Sequence, residues 1–527
     1  MNVNENRPCG NAGAVFFCPP LNETMTAFQQ AKLHAQSGQF TQMLSTCEEI
    51  ASVNANNPDV LLDLGALLSD FGFVTYAKAC FERIQALSPN DLRSVINLAN
   101  LAQNVGNHAE SQRLYSFLLT HLPNNPMVRR NALVNLEYDA SVSDEQRLSM
   151  AKAWAGEPKP RPTMSKSLQR IGYVSADFCQ HTVGLFVKDV FKAHTIDIYT
   201  YSAGQVKDWV TESIQATTHF RDVCALDDLA LAQCIRDDQI DLLVDLSGHT
   251  AGSRLTVFTH RPAPVQISWL GYFATTGLSC MDAVFLDPWH APLEAQAQFV
   301  EPIVRLPTGR FCYQPVPFAP AQVDSLPALK RGYITFGCFN NTAKFNAAVF
   351  DVWARILGTV PHSRLVLKWR TFNDEHFAQS IRNEFASRGI EPTRLELRRP
   401  SFHVELLKEY GDIDIALDPF PFTGGLTSCE ALWMGVPVVT LPQSRVVSRQ
   451  TFAFLSAIGL PELAAKDSEN YVRIAAQLAQ DTEHLSELRQ GMRTRMLNSP
   501  LMDLPEFTRQ FEQHLFDLFE SVKKVAR

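Results

Sequence analysis

Three glycines, Gly38, Gly72 and Gly106, stand 34 residues apart. No other feature constrains the first third of the chain as tightly. Two further columns keep the same step, Ala31, Gly65 and Ala99 in one and Cys47, Phe81 and Tyr115 in the other, while Pro89 and Pro123 close successive units in LSPND and LPNNP. A unit of this length holds two helices and their turns. One such pair cannot bury its apolar face alone, so neighbours have to stack into a short superhelix. The spacing therefore predicts a helical array over residues 23–154, with about three units before residue 137.

The period, with small residues inside the first helix, Gly at the turn and Pro at the end, is that of tetratricopeptide repeats. Their concave surface suits an extended peptide. Residues 1–22 read as an N-terminal tail. The stretch 155–167, AGEPKPRPTMSKS, is rich in Pro and Lys, lacks an apolar period and reads as a linker.

Beyond the linker the pattern changes to short β-prone runs separated by helical stretches. RIGYVSA (170–176), DIYTYS (197–202), LLVDLS (242–247) and VQISWLG (265–271) form one series. A Pro-rich segment over 287–330 reads as an irregular connector. A second series follows, from YITFGCF (333–339) through RLVLKW (364–369), RLELR (394–398) and DIALD (414–418) to PVVTL (437–441). Strand–helix alternation predicts parallel sheets wrapped by helices. The expected fold class is thus α/β with an all-α N-terminal part: helical repeats, then two Rossmann-like lobes over 168–325 and 330–527, the second carrying closing C-terminal helices. Such lobes bind ligands at the carboxyl ends of their strands.

Four strand ends carry candidate chemistry. In DPFPFTGGLTSCEALW, Gly424 and Gly425 precede a helix whose first-turn N–H groups and dipole favour an anion. Thr427 and Ser428 add hydroxyls there, and Glu430, a turn further in, can accept from a ribose diol. Together they suit a nucleoside diphosphate. In FGCFNNTAKFN, Asn340, Asn341 and Lys344 follow a strand, and a fixed ammonium there can neutralise a departing diphosphate without a metal. In RIGYVSADFCQH, Asp177 and His181 follow the first strand, and the imidazole can take a hydroxyl proton or bond a sugar. In LVDLSGHTAGSR and WLGYFATTG, His249, Gly271, Thr275 and Thr276 are possible sugar or acceptor contacts. Each feature taken alone has a plainer reading as a cap or a turn.

Composition narrows the classes. A formal charge of −8 and a pI near 6.0 speak against nucleic acid as the partner. No apolar run approaches a membrane span, and the N-terminus lacks a basic leader followed by a long apolar core, so a secretory signal is not expected. Eleven Cys without a CxxC pair suit free thiols in a cytoplasmic setting. The Asp-x-Asp of DIDIALD lies before and at the start of its strand, so no metal is expected. P-loop, GxSxG and GxGxxG patterns are missing at the first strand.

The ordered set RIGYVSADFCQH, LVDLSGHT, RPAPVQISWLGYFATTG, FGCFNNTAKFN, HVELLKEYGDIDIALDPFPFTGG and LTSCEALWMGVPVVTL, behind the repeats, resembles one family from about residue 30 to about residue 520. It is that of the protein O-linked N-acetylglucosamine transferase, with the SPINDLY-type O-fucosyltransferases and the bacterial cytoplasmic N-glucosyltransferases. The resemblance implies a GT-B glycosyltransferase that needs no metal, with protein acceptors held along the repeats. By the same resemblance Lys344 is the lysine on the donor diphosphate, Asn341 a donor-binding polar group and His403 the histidine near the nucleoside. Thr427 meets the phosphate or sugar, Glu430 the ribose, and His181 is the N-lobe active-site histidine. Gly425-Leu426-Thr427 replaces the His-Thr-Thr run of the animal enzyme, and Thr423 stands where bacterial relatives commonly carry Asn. The expected reaction is inverting transfer from UDP-GlcNAc to Ser or Thr hydroxyls of proteins. GDP-fucose and UDP-glucose are the rival donors, a glycan or small-molecule transferase is a further rival, and a repeat-based interaction module with an inactive transferase fold is the reading outside enzymes.

Overall fold

The computed structural model describes residues 22–154 and 156–525. The tail read over 1–22 lies outside the described residues except for Asn22, which opens the first helix, and Cys9 and Cys18 lie outside them too. Eight helices come first: α1 (Asn22–Gln36), α2 (Phe40–Val53), α3 (Pro58–Asp70), α4 (Val74–Leu87), α5 (Leu92–Asn104), α6 (His108–His121), α7 (Pro126–Leu136) and α8 (Asp144–Lys152). Seven strands follow, β1 (Arg170–Ser175), β2 (Asp197–Ser202), β3 (His219–Asp222), β4 (Leu242–Asp245), β5 (Val265–Trp269), β6 (Ala283–Leu286) and β7 (Ile303–Arg305). The later strands are β8 (Thr335–Cys338), β9 (Arg364–Lys368), β10 (Leu395–Arg398), β11 (Ile415–Leu417) and β12 (Val438–Val439).

The chain forms two compact units. One gathers the residues up to Asp139 with Leu326–Pro419 and Ala475–Thr482; the other holds Ala140–Ser325, Phe420–Ile474 and Glu483–Arg527.

In the first unit α1 to α6 form three antiparallel pairs. The predicted columns explain their packing. Gly65 on α3 faces Phe81 on α4 so closely that a Cβ would lie 2.4 Å from the ring, and Ala31, Cys47, Ala99 and Tyr115 are buried at the equivalent positions. Gly38, Gly72 and Gly106 all take positive φ, between 71° and 83°, at the turn between paired helices. Asn57 and Asn125 cap α3 and α7 just ahead of Pro58 and Pro126; each cap contributes about 1 kcal/mol. The same unit contains the parallel strands β10-β9-β8-β11 in that order.

The second unit is built on a parallel sheet in the order β3-β2-β1-β4-β5-β6-β7. β1, β4 and β5 are buried along almost their whole length, as befits strands covered on both faces. Ile171 of β1 registers with Ile198 on one side and Leu242 on the other. The final helix, Leu504–Val525, lays Phe507, Phe511, Leu515 and Phe519 inward, and Phe511 meets Trp269 of β5 at 4.3 Å between ring centroids.

The sheets and repeats are those expected, and the fold is helical repeats followed by a GT-B pair of lobes; three boundaries differ from the sequence reading. α8, read as part of the repeats, belongs to the second unit, where Trp154 just beyond it donates to the Thr276 carbonyl at 2.9 Å. The closing helices, read with the second lobe, pack on the first sheet through the phenylalanine ladder. The connector over 287–330 is not wholly irregular, since β7 extends the first sheet beside β6. The linker is irregular but fastened: Arg161 pairs with Asp282 at 2.6 Å and Lys159 N–H donates to the Thr259 carbonyl.

Candidate active site

Each sheet runs outwards from its own first strand, 3-2-1-4, so each has its own point where the order reverses, at the carboxyl ends of β1/β4 in one unit and of β8/β11 in the other. Lys344 stands at the second of these places. β8 ends at Cys338, Asn341 caps a single 3₁₀ turn, Thr342–Lys344, by accepting from Ala343 N–H at 3.0 Å, and Lys344 closes that turn. Its Nζ donates to Asn340 Oδ1 at 2.9 Å. Burial pushes the Lys344 ammonium down to about 8, against the opposing pull of Asp418 and Cys338. Asp418, buried just past β11, was not singled out from the sequence, although DIALDPF puts an acid directly at a strand end. His403 opens the helix His403–Glu409 beyond β10, at the outer side of this sheet.

Gly424, Gly425, Thr427, Ser428 and Glu430 belong to the second unit. Gly425 precedes the helix Leu426–Trp433, and a Cβ built on it would meet only Gln450 Oε1, at 3.5 Å. The approach to the helix start on that side is therefore open. Thr427 is half-buried in the first turn and Glu430 is buried in the second. Ser428, expected to offer its hydroxyl to a phosphate, is buried instead, and its Oγ meets Thr451 Oγ1 at 2.8 Å. Thr451 also donates to the Gly424 carbonyl, and Thr423 donates to the Val447 carbonyl at 2.8 Å. These bonds fasten the Gly-Gly loop to the segment around Val447–Thr451.

His181 caps the helix Thr182–Ala193 after β1, its Nδ1 accepting from Val183 N–H at 3.3 Å. A neutral imidazole so bonded carries its proton on Nε2. Asp177 Oδ1 lies 3.7 Å from the same Nδ1; burial raises the Asp177 carboxyl, and His181 opposes the rise.

The remaining predicted contacts are spent internally. Thr275 donates to Glu301 Oε2 at 2.5 Å, Thr276 N–H donates to Oε1 at 2.7 Å and the Thr276 hydroxyl also reaches that carboxylate. His249 is buried between Trp154 and Tyr272, its Nε2 bonded to the Thr276 carbonyl at 2.9 Å. At Gly271 a Cβ would fall 1.6 Å from the Leu246 carbonyl, so the glycine serves close loop packing. All four positions thus take part in the framework of these loops. No sequence pattern points to Glu301, whose partners Thr275 and Thr276 lie 26 and 25 residues upstream. Asp412 and Asp414 are likewise engaged, the first with Arg331 and Arg398, the second with the N–H groups of Ala328 and Thr335.

Comparison with known proteins bears on this arrangement. The model of Glycosyl transferase family 41 matches residues 152–314 and 323–511. The chain is 39% identical over 351 residues to the probable UDP-N-acetylglucosamine–peptide N-acetylglucosaminyltransferase SPINDLY of Solanum lycopersicum, which covers 65% of this chain and 38% of that protein. It is 29% identical over 382 residues to the similarly described SEC of Arabidopsis thaliana, covering 69% of this chain and 38% of the relative. The chain thus spans about two-fifths of the length of these curated relatives. A solved lysine-to-methionine mutant of the Thermobaculum terrenum O-GlcNAc transferase superposes with a TM-score of 0.86 at 30% identity, covering 96% of this chain and all of that one.

Proposed function

Because the chain belongs to glycosyltransferase family 41, we propose that it transfers N-acetylglucosamine from UDP-GlcNAc to Ser or Thr hydroxyls of proteins, with inversion and without a metal. The observation that carries the proposal is Lys344, a half-buried ammonium at the β8/β11 switch point with Asn340 holding its Nζ. As the bond between sugar C1 and the β-phosphate oxygen breaks, its electron pair stays on that oxygen, and negative charge grows where Lys344 supplies a positive one. The start of the helix at Leu426, with Thr427, is the second such group. Asn341 and His403 are proposed to hold the nucleotide on the side of β8–β10, and Glu430 the ribose.

The acceptor hydroxyl attacks C1, and its proton goes to a donor phosphate oxygen. His181 is assigned to hydrogen bonding rather than to taking that proton, since its Nδ1 lone pair already accepts from Val183 N–H. Peptide acceptors are proposed to lie along the concave face of α1–α6, in a cytoplasmic setting. Residues 23–154, 168–325 and 330–527 are proposed as repeats and two lobes in the functional sense, with the packing exceptions described above. Among the described residues no helix is long and apolar enough to cross a membrane.

Calorimetric titration with UDP and GDP, on wild type and Lys344→Ala, tests the reading. UDP should bind and weaken in the variant with folding kept. Preference for GDP would move the donor to a GDP-sugar such as GDP-fucose, and binding of neither would leave an interaction module.

A further inference from the structure

Two successive repeat turns rest on the loops at the carboxyl ends of adjacent strands in the first unit. At the turn between α5 and α6, a Cβ on Gly106 would sit 2.4 Å from the Phe345 carbonyl oxygen and 3.3 Å from that of Thr342. Thr342 is fully buried; its Oγ1 donates to the Asn104 carbonyl at 2.8 Å and lies 2.9 Å from Thr371 Oγ1. His108, the first residue of α6, is buried behind the same loop and stacked on Tyr138. One repeat earlier, a Cβ on Gly72 would sit 2.1 Å from the Arg370 carbonyl. There Asn373 Nδ2 donates to the Phe71 carbonyl at 2.8 Å, and Thr75 N–H donates to Asp374 Oδ2 at 2.6 Å. Gly38, with a similar φ and the same place in its repeat, has no atom of the described residues within 4 Å of its would-be Cβ. The contacts therefore belong to these two turns and not to the repeat as such.

We propose that the Asn104–His108 turn is a positioning element for Lys344, holding the Thr342–Phe345 loop through the Thr342 hydroxyl so that the ammonium keeps its place at the strand end. Thr342 lies two residues before Lys344 in one 3₁₀ turn, so releasing it frees the turn that aims Nζ. The array is thereby part of the donor site's support as well as an acceptor surface. This inference rests on the nucleotide reading above. Lys344 is met by Asn340 and Cys338 from its own strand and loop and by Asp418 past β11, while His108 of the repeats meets the backbone of the same loop at Ala343 and Phe345, its imidazole kept towards neutral by burial against the opposing effect of Asp139 and that backbone.

The test is UDP titration of the full chain from about pH 7.5 to about pH 10, a window that spans the lowered ammonium, with wild type, Thr342→Val, Thr342→Ser and Thr371→Val. Thr342→Val should weaken UDP roughly tenfold, the effect of one charge-assisted hydrogen bond losing its geometry. It should also move upward the pH at which affinity falls, because water reaches the ammonium. Thr342→Ser should restore both, and Thr371→Val, which leaves the Asn104 bond, should show the same changes at smaller size. A lower Tm with unchanged affinity and midpoint in both valine variants would overturn the proposal and leave the turn a stabiliser only. Failure of wild type to bind UDP at all would instead overturn the nucleotide reading on which this one stands.

Discussion

The depressed Lys344 ammonium makes a pH prediction whose sign can be worked out. In the free protein it loses its proton at about 8 instead of the ordinary 10.5, because burial disfavours the charged form. A bound diphosphate favours the charged form and draws the value back up. Binding then takes up a proton wherever the free lysine is neutral, so affinity is complete below about pH 8 and falls as pH rises through it. At pH 9 about one lysine in eleven is protonated in the free protein, against roughly nine in ten at pH 7, so Kd for UDP should weaken about tenfold. The terminal phosphate of UDP titrates near pH 6 and is past its transition throughout. Calorimetry in two buffers of different ionisation enthalpy reads both quantities: Kd, and an uptake approaching one proton per UDP near pH 9. Lys344→Arg, charged at every pH used, should bind with no slope. The unliganded protein follows the opposite sign, since the unfolded chain binds the extra proton between about pH 8 and about pH 10.4, and stability contributed through Lys344 rises over that window. A flat Kd with no proton uptake in wild type would refute the reasoning, because Lys344 would then not be the group that meets the diphosphate.

Two further outcomes are expected. Gly38→Ala should cost about 1 kcal/mol in denaturant unfolding, the strain of a positive φ alone, whereas Gly106→Ala must also displace the Phe345 carbonyl and should cost at least twice that; equal losses would remove the docked-turn interpretation. His181→Asn, which keeps a cap acceptor and an N–H donor, should retain most transfer activity in a peptide glycosylation assay, while His181→Ala should lose roughly a hundredfold. Asn as poor as Ala would return His181 to the role of base.

How much was legible in the sequence depended on whether a signal was local. The repeat period, the strand runs and Lys344 at the end of β8 are short-range patterns, and all are where the spacing put them. Glu301 answers Thr275 and Thr276 from another loop, and Thr342 answers Asn104 across 238 residues; neither partner carries a pattern that points to the other. The internal partners of Thr275, Thr276 and Ser428 were not legible, because a hydroxyl at a strand end or helix start looks the same whether it faces a ligand or a buried neighbour. The phenylalanines of Leu504–Val525 declare an amphipathic helix, but not which sheet receives it.

The unequal surroundings of Gly38, Gly72 and Gly106 also give the array a direction of growth. A unit inserted between α4 and α5 would have to shift the turn at Gly106 away from Phe345 or the turn at Gly72 away from Arg370. Among the described residues, the turn at Gly38 on the α1 side carries no such contact. The number of repeats at that end can therefore change while the two docked turns keep their register on the Thr342–Phe345 and Arg370–Asp374 loops.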